Sequence, residues 1–353
     1  MKQVIFLSLF ILFSIISPAQ RNEQVKKLVE EGIALHDKED YDGAIKKYDA
    51  ALAIDPNDLY ANYEKSYSCN QAKKYKDCID ICKFIIKTFP DHSLLNQVYE
   101  VYGNSLDDSG NGNEAIKIYN EGLKKFPEYY MLHFNKGVTF MKLEEKEEAL
   151  NAYNLALRYN SLHPSSNYYT GSVLQKQNRI PAMLAYMTFL ALEPQTERSK
   201  KAFDAIDEII YRNIKKDGGN TTISISMDML DQAKDKKTDN NFGSVELAFS
   251  MLGTMDNAKE MDSITKTPAD KFDFKLQMLI NALANSIKEG KGFYWEHYVP
   301  FFIEMKNHGY TQTLSNLIYQ ASGEQKSSKW LEENEKKVNE FYEWLAKYKW
   351  IKD

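Results

Sequence analysis

The sequence predicts an all-α fold: a solenoid of about five helix-turn-helix repeats followed by a helical C-terminal domain. Two observations carry this. First, four positions recur at fixed offsets: a small residue, a second small residue 12 on, an aromatic 4 further and a proline 8 beyond that. They read Gly32–Ala44–Tyr48–Pro56 and Gly103–Ala115–Tyr119–Pro127, and Gly137–Ala149–Tyr153 keeps the spacing with Ser161 at the proline position. Ser66–Cys78–Cys82–Pro90 keeps it with substitutions, and Gly171–Met183–Met187 keeps it loosely, its Pro194 one residue early. Successive first members lie 34, 37, 34 and 34 residues apart. Second, no segment shows sustained period-two alternation, so no sheet is expected.

Each position in the pattern has a packing reason. A single amphipathic helix cannot bury its apolar stripe alone, so each unit needs two antiparallel helices. In the first, helix A is expected near Val25–Asp37 and helix B near Tyr41–Ala53. Gly32 and Ala44 lack bulk where the two cross, Tyr48 fills the gap beside the crossing, and Ala51 leaves room for the next unit. Pro56 clashes with a preceding helical turn and stops helix B, and Asp55-Pro56-Asn57-Asp58 supplies a turn and an N-cap. Residues 93–95 read as an insertion, and Ile180-Pro181 places proline at the start of a helix, where it is tolerated.

Past the repeats, Arg198–Ile214 reads as an amphipathic helix ended by Gly218-Gly219. Residues 224–234 and 242–254 read as two short helices. Thr267-Pro268 caps a longer one, apolar through Phe272, Leu276, Leu279, Leu283 and Ile287, that stops at Gly290. Three more follow at about 293–307, 311–321 and 335–348, the last with Phe341, Trp344, Leu345 and Tyr348 on one face.

A helical pair of this period resembles the tetratricopeptide repeat (TPR). The resemblance covers roughly the N-terminal half and implies a right-handed solenoid that acts as a binding scaffold without catalysis, and the region of Trp295 and the tail resembles C-terminal segments of exported TPR proteins of Gram-negative bacteria. In such proteins ligands lie along the helix A residues that face the groove. Repeat phase puts Tyr60, Tyr63 and Tyr67 there in the second unit, Glu100, Asn104 and Asp107 in the third, Phe134 in the fourth and Tyr168 in the fifth. Tyr60, Tyr63, Tyr67, Phe134 and Tyr168 are the expected partner-binding residues, because rigid rings give contact area at little entropic cost. The TPR domains that hold C-terminal carboxylates use two asparagines and several lysines. Only Asn104 matches here, and Glu100 and Asp107 would repel a carboxylate.

Residues 1–19 read as a secretory signal peptide, with Lys2, a 13-residue apolar run Val4–Ile16 and Ser17-Pro18-Ala19. The expected division is then 1–19 signal peptide, 20–197 TPR solenoid and 198–353 helical capping domain, in a protein exported to the periplasm or outer membrane. A net charge of −5 without a basic stripe gives no support for nucleic-acid binding, and no other segment reaches membrane-spanning length. The partner expected is a protein or peptide.

The remaining motifs carry less. Cys69, Cys78 and Cys82 occupy repeat positions that suit buried thiols, and Cys69–Cys78 is the one pair placed for a bridge. The aromatic run at Phe293–Phe302 suits a core helix or, with Trp295, a platform for stacking glycan or cell-wall sugars, which is the alternative function. His297, Glu304 and His308 share a stripe that Pro300 disturbs, so no metal is expected. Asp262-Ser263-Ile264 matches a short O-glycosylation pattern of exported proteins. No catalytic motif and no cofactor motif is present: there is no P-loop, GxGxxG, HExxH or GxSxG.

Overall fold

The structure, a computed structural model, describes residues 18–217, 220–235, 238–252 and 266–350. The signal-peptide expectation and the Ser263 glycosylation pattern fall almost wholly outside these residues. The contacts divide the chain into two compact units, one ending at Pro127 and one beginning at Glu128. This division lies within the run of repeats.

The first unit holds α1 (Pro18–His36), α2 (Tyr41–Ile54), α3 (Leu59–Gln71), α4 (Tyr75–Thr88), α5 (Leu95–Asp108) and α6 (Gly112–Lys125). They pair as three hairpins, and the first helices of successive hairpins lie side by side. Helix α2 stops before Pro56, as the ring demands. Asp58 then caps α3 by accepting from the Ala61 N–H at 2.7 Å, and Asn62 Nδ2 donates to Pro56 O at 3.1 Å to pin the turn.

Inside each hairpin the glycine meets the tyrosine ring 16 residues on. A Cβ on Gly32, Gly103 or Gly137 would come within 2.4, 2.1 or 2.5 Å of the Tyr48, Tyr119 or Tyr153 ring, and each of these tyrosines is buried. Hairpin two solves the same contact differently. Ser66 replaces glycine and Cys82 replaces the ring, both fully buried, so a larger residue on α3 is matched by a smaller one on α4.

The turns repeat as faithfully as the helices. Glu39, Lys73, Gly110 and Glu144 have φ of 63°, 60°, 86° and 63°, at the same phase of four hairpins. Just after each, an N–H reaches back to the carbonyl five residues earlier: Asp40 to Leu35, Lys74 to Cys69, Asn111 to Leu106 and Glu145 to Phe140. These are helix ends closed by a left-handed residue, yet only one of the four is glycine.

The second unit begins with two more hairpins, α7 (Tyr130–Lys142) with α8 (Lys146–Tyr159) and α9 (Pro164–Leu174) with α10 (Arg179–Leu192). The last turn has no left-handed residue among those described, and its second helix starts eight residues after the glycine, one fewer than in the other hairpins. The ring against Gly171 is therefore Tyr186, 2.9 Å from a Cβ built there, and not Met187. Every residue of α10 from Arg179 to Ala191 is buried.

After α10 come α11 (Glu197–Tyr211), β1 (Ile214–Asp217), β2 (Asn220–Ile223), α12 (Met227–Lys234) and α13 (Gly243–Leu252). The chain continues with α14 (Pro268–Ser286), α15 (Phe293–His297), α16 (Val299–Asn307), α17 (Thr311–Gln320), α18 (Gln325–Glu333) and α19 (Glu335–Lys347). One apolar cluster runs from α10 through α13, α14 and α16 to Phe341 and Leu345 of α19. At the start of α10, Glu246 of α13 accepts from the Arg179 N–H at 3.1 Å, and the Arg179 guanidinium donates to Ser250 Oγ at 3.0 Å. Tyr298 OH donates to Asn167 Oδ1 of α9 at 2.9 Å, tying the last hairpin to the helices that follow.

Three expectations need correction. A two-stranded antiparallel hairpin pairs Ile214 with Ile223 and Asp217 with Asn220, where no strand was expected. Its four-residue strands, Ile-Lys-Lys-Asp and Asn-Thr-Thr-Ile, are too short and polar to show alternation, and the helix before them stops at Tyr211. Gly218-Gly219 lie outside the described residues. The single helix expected over 293–307 breaks at Tyr298, because Pro300 sits in the first turn of α16. Helix α18 was missed. Its N-cap is Glu324, which accepts from the Ser327 N–H at 2.6 Å inside a stretch that reads as a polar loop.

Two outcomes test this packing. In a double-mutant cycle, Gly137→Ser and Tyr153→Cys should couple by ~1 kcal/mol or more in chemical unfolding, because hairpin two already uses that pair. Glu144→Gly should raise stability by about 0.5–1 kcal/mol by relieving its left-handed backbone. Additivity in the first case, or a loss in the second, contradicts the packing described.

Candidate functional site

The five expected partner-binding rings divide between the two units. Tyr60, Tyr63 and Tyr67 all project from α3 in the first unit. Tyr60 is 58% exposed and borders a groove of about 370 Å³ between α1 and α3. Val25, Val29 and Ile33 of α1 form its apolar wall, and Glu64 stands one turn on from Tyr60. Tyr67 is 38% exposed and stacks on His36, ring centroids 4.8 Å apart. His36 is held by Ser68 Oγ at 2.6 Å and by the edge of Tyr41, and burial lowers its pKa. Tyr63 is half-buried, and burial pushes its phenol up, helped by the charges of Glu64 and Glu100.

Glu64 is the residue that the sequence reading missed. Burial raises its carboxyl above the usual range, and the like charge of Asp37 adds to this. Repeat phase could have found it, since Glu64 precedes Ser66 by the same two residues that separate Glu30 from Gly32. Asn104, the one match to a carboxylate-binding pattern, instead accepts from Tyr119 OH at 2.8 Å.

Phe134 and Tyr168, in the second unit, are half-buried within an aromatic network. Phe134 meets His163 edge-on at 4.7 Å and packs against Tyr153 and Tyr169, each 5.9 Å away. Tyr168 meets Phe189 at 5.1 Å and carries the Arg198 guanidinium at 5.6 Å from its ring centroid. Arg198 is fixed in turn by Glu193 at 2.6 Å and Ser165 at 3.0 Å. Tyr169 was not anticipated, because the Tyr168-Tyr169 doublet offers two rings and repeat phase selects only one.

Trp295 cannot serve as the sugar platform of the alternative reading. Its ring is 3% exposed, stacked on Phe242 at 4.2 Å and 4° from parallel, and so close to Gly290 that a Cβ there would come within 2.2 Å of it. Trp295 Nε1 donates to Asn241 O at 2.9 Å. The tail is core as well: Trp344 and Trp350 stack on Phe301 at 5.4 and 4.6 Å.

The other clusters are also occupied by packing. Cys69, Cys78 and Cys82 are buried free thiols with no Cys69–Cys78 bridge. Ser105 Oγ donates to Cys78 Sγ at 2.9 Å, and burial pushes the Cys69 thiol up to about 12. Of the histidine stripe, His297 is buried between Phe293 and Trp350, while Glu304 and His308 form a surface pair at 3.8 Å. Among the described residues no three metal-type donors come together, and no helix is long and apolar enough to cross a membrane.

Family models described as tetratricopeptide repeats match residues 25–58 and 103–167. The human protein named Tetratricopeptide repeat protein 12 is 26% identical over 114 residues, which is 32% of this chain and 16% of that protein. The chain thus spans about a sixth of that relative. A thermophilic TPR protein of Thermus thermophilus superposes with a TM-score of 0.44 at 18% identity, covering 52% of this chain and 98% of that one. PilF of Pseudomonas aeruginosa does so with 0.44 at 18% identity, covering 54% and 91%.

The buried His297 gives the fold a testable acid sensitivity. Burial depresses its pKa to about 3, so the folded form holds it neutral while the unfolded chain takes up a proton below about 6.5. The associated stability is complete above pH 6.5 and is lost as the pH falls towards 3, at up to about 1.4 kcal/mol per pH unit. His297→Phe should flatten the decline in thermal midpoint between pH 7 and 4.5. An unchanged slope would mean that His297 does not titrate in this way.

Proposed function

This is a protein built on tetratricopeptide repeats, and we propose that it is an exported scaffold that recognises a peptide or protein segment along the first helices of its hairpins. TPR proteins bind protein or peptide partners, and the repeats alone support that coarser role. The finer reading rests on one observation: Tyr60, exposed beside an apolar groove of about 370 Å³ that no described side chain fills. Exposed rings over an apolar wall are what an extended segment needs, since it can bury its own side chains there without either partner reordering.

The first unit carries this reading better than the second. Tyr60 is largely exposed and Tyr67, though stacked on His36, is still 38% exposed, whereas Phe134 and Tyr168 are half-buried against their neighbours. The export part of the proposal rests on the sequence of residues 1–19 alone, and puts the mature protein in the periplasm or at the outer membrane.

Tagged chain expressed in its native envelope should retain a specific partner through washing. The double variant Tyr60→Ala, Tyr67→Ala should lose it by about tenfold or more in affinity, with little change in helicity. Phe134→Ala should instead lower stability, by about 3–5 kcal/mol if its site does not collapse. Partner capture that survives loss of both α3 rings would remove the groove from the account. The intact mass of the exported protein should correspond to a start at Gln20; an uncleaved mass would contradict export by signal peptide.

A further inference from the structure

The groove in the first unit is lined by carboxylates as well as by rings, and we propose that the segment it receives carries a basic side chain set between apolar ones. The inference rests on the groove reading above and names its chemistry. Glu30 and Glu64 come from the same phase of successive hairpins and line one cavity with Val25, Val29, Ile33 and Tyr60. Lys26 stands 3.8 Å from Glu30. Among the described residues no cation pairs with Glu64, and the charged group that bears on it is Asp37, of like sign.

A half-buried carboxylate without a counter-charge is destabilising, since desolvation is offset by nothing. A ligand ammonium or guanidinium would supply that charge. One ring adjoins the same place: Tyr60, one turn from Glu64 on α3 and part of the same cavity wall. Tyrosine faces attract cations, most strongly where water is thinned. The aliphatic wall of α1 then takes the apolar neighbours of the basic residue. An acidic segment would meet Glu30, Asp58 and Glu64, three carboxylates against the one ammonium of Lys26, so the groove disfavours it.

The test is fluorescence anisotropy on the full chain, with dye-labelled peptides that share one apolar background and differ only in a central Arg, Leu or Glu. The Arg peptide should bind about tenfold tighter than the Leu peptide, and more so over the Glu peptide, with affinity falling as salt rises. Glu64→Gln should weaken the Arg peptide about tenfold and leave the Leu peptide unchanged. Its thermal midpoint should equal or exceed that of the native chain, because the uncompensated charge is gone. Equal binding of Arg and Leu peptides, or a silent Glu64→Gln, overturns the cation requirement while Tyr60→Ala still weakens binding and keeps the groove. If no peptide binds and Tyr60→Ala is silent towards the captured partner, the groove reading fails and this inference with it. Self-association abolished by Glu64→Gln would assign the groove to a second copy, and preferential binding of a peptide of residues 1–17 would assign it to the chain's own leader. Either result overturns the proposal.

Discussion

The structure depends on a side chain that is missing. Where the two helices of a hairpin cross, one contributes a bare Cα and the other lays a tyrosine ring flat against it, at Gly32–Tyr48, Gly103–Tyr119 and Gly137–Tyr153. The ring brings a large apolar area to a contact too close for even a methyl group. Hairpin geometry follows from this contact, and so does the phase of everything else. Once the crossing is fixed, the residues three and six before the small residue are set facing out along the first helices. That is how Tyr60 and Tyr63 come to line one side of α3, although nothing in their own sequence neighbourhood requires it.

The contact also shows how much variation the hairpin accepts. Ser66 with Cys82 puts a larger residue on the first helix and a much smaller one on the second, both fully buried. Gly171 with Tyr186 keeps the glycine and moves the ring by one residue, because the second helix there starts one residue sooner after the glycine. In both places the sequence departs from the pattern and the geometry does not. A reading by strict offset therefore selects Met187 and misses the ring beside it, because offsets count residues whereas packing counts turns of helix.

Repeat phase made the hairpins and their crossings legible, since both have one physical cause repeated at one period. What lay beyond it was decided by contacts distant in sequence. The short strands after Tyr211 and the helix capped by Glu324 leave no periodic trace, being brief and polar. Trp295 shows the same limit for the site. Alone it reads as core or as platform, and the stack on Phe242 with the close approach of Gly290 decides for core. Tyr60 and Tyr67 were legible as exposed rings. Glu64 was legible by phase alone, from the two-residue step before Ser66 that matches Glu30 before Gly32, whereas its lack of a neighbouring cation has no sequence signature.

Helix α10 has the composition of a membrane segment and the length of an ordinary repeat helix, with every face covered. A repeat array normally grows or shrinks by whole hairpins, each new one stacking on an open edge. Behind α10 that edge is already taken, by helices whose own apolar stripes fit no repeat. Descendants of this chain can gain or lose a hairpin ahead of α7 and leave the apolar cluster around α10 untouched, whereas a duplication behind α10 would have nothing to stack upon. The number of repeats is thus free to drift from one side only.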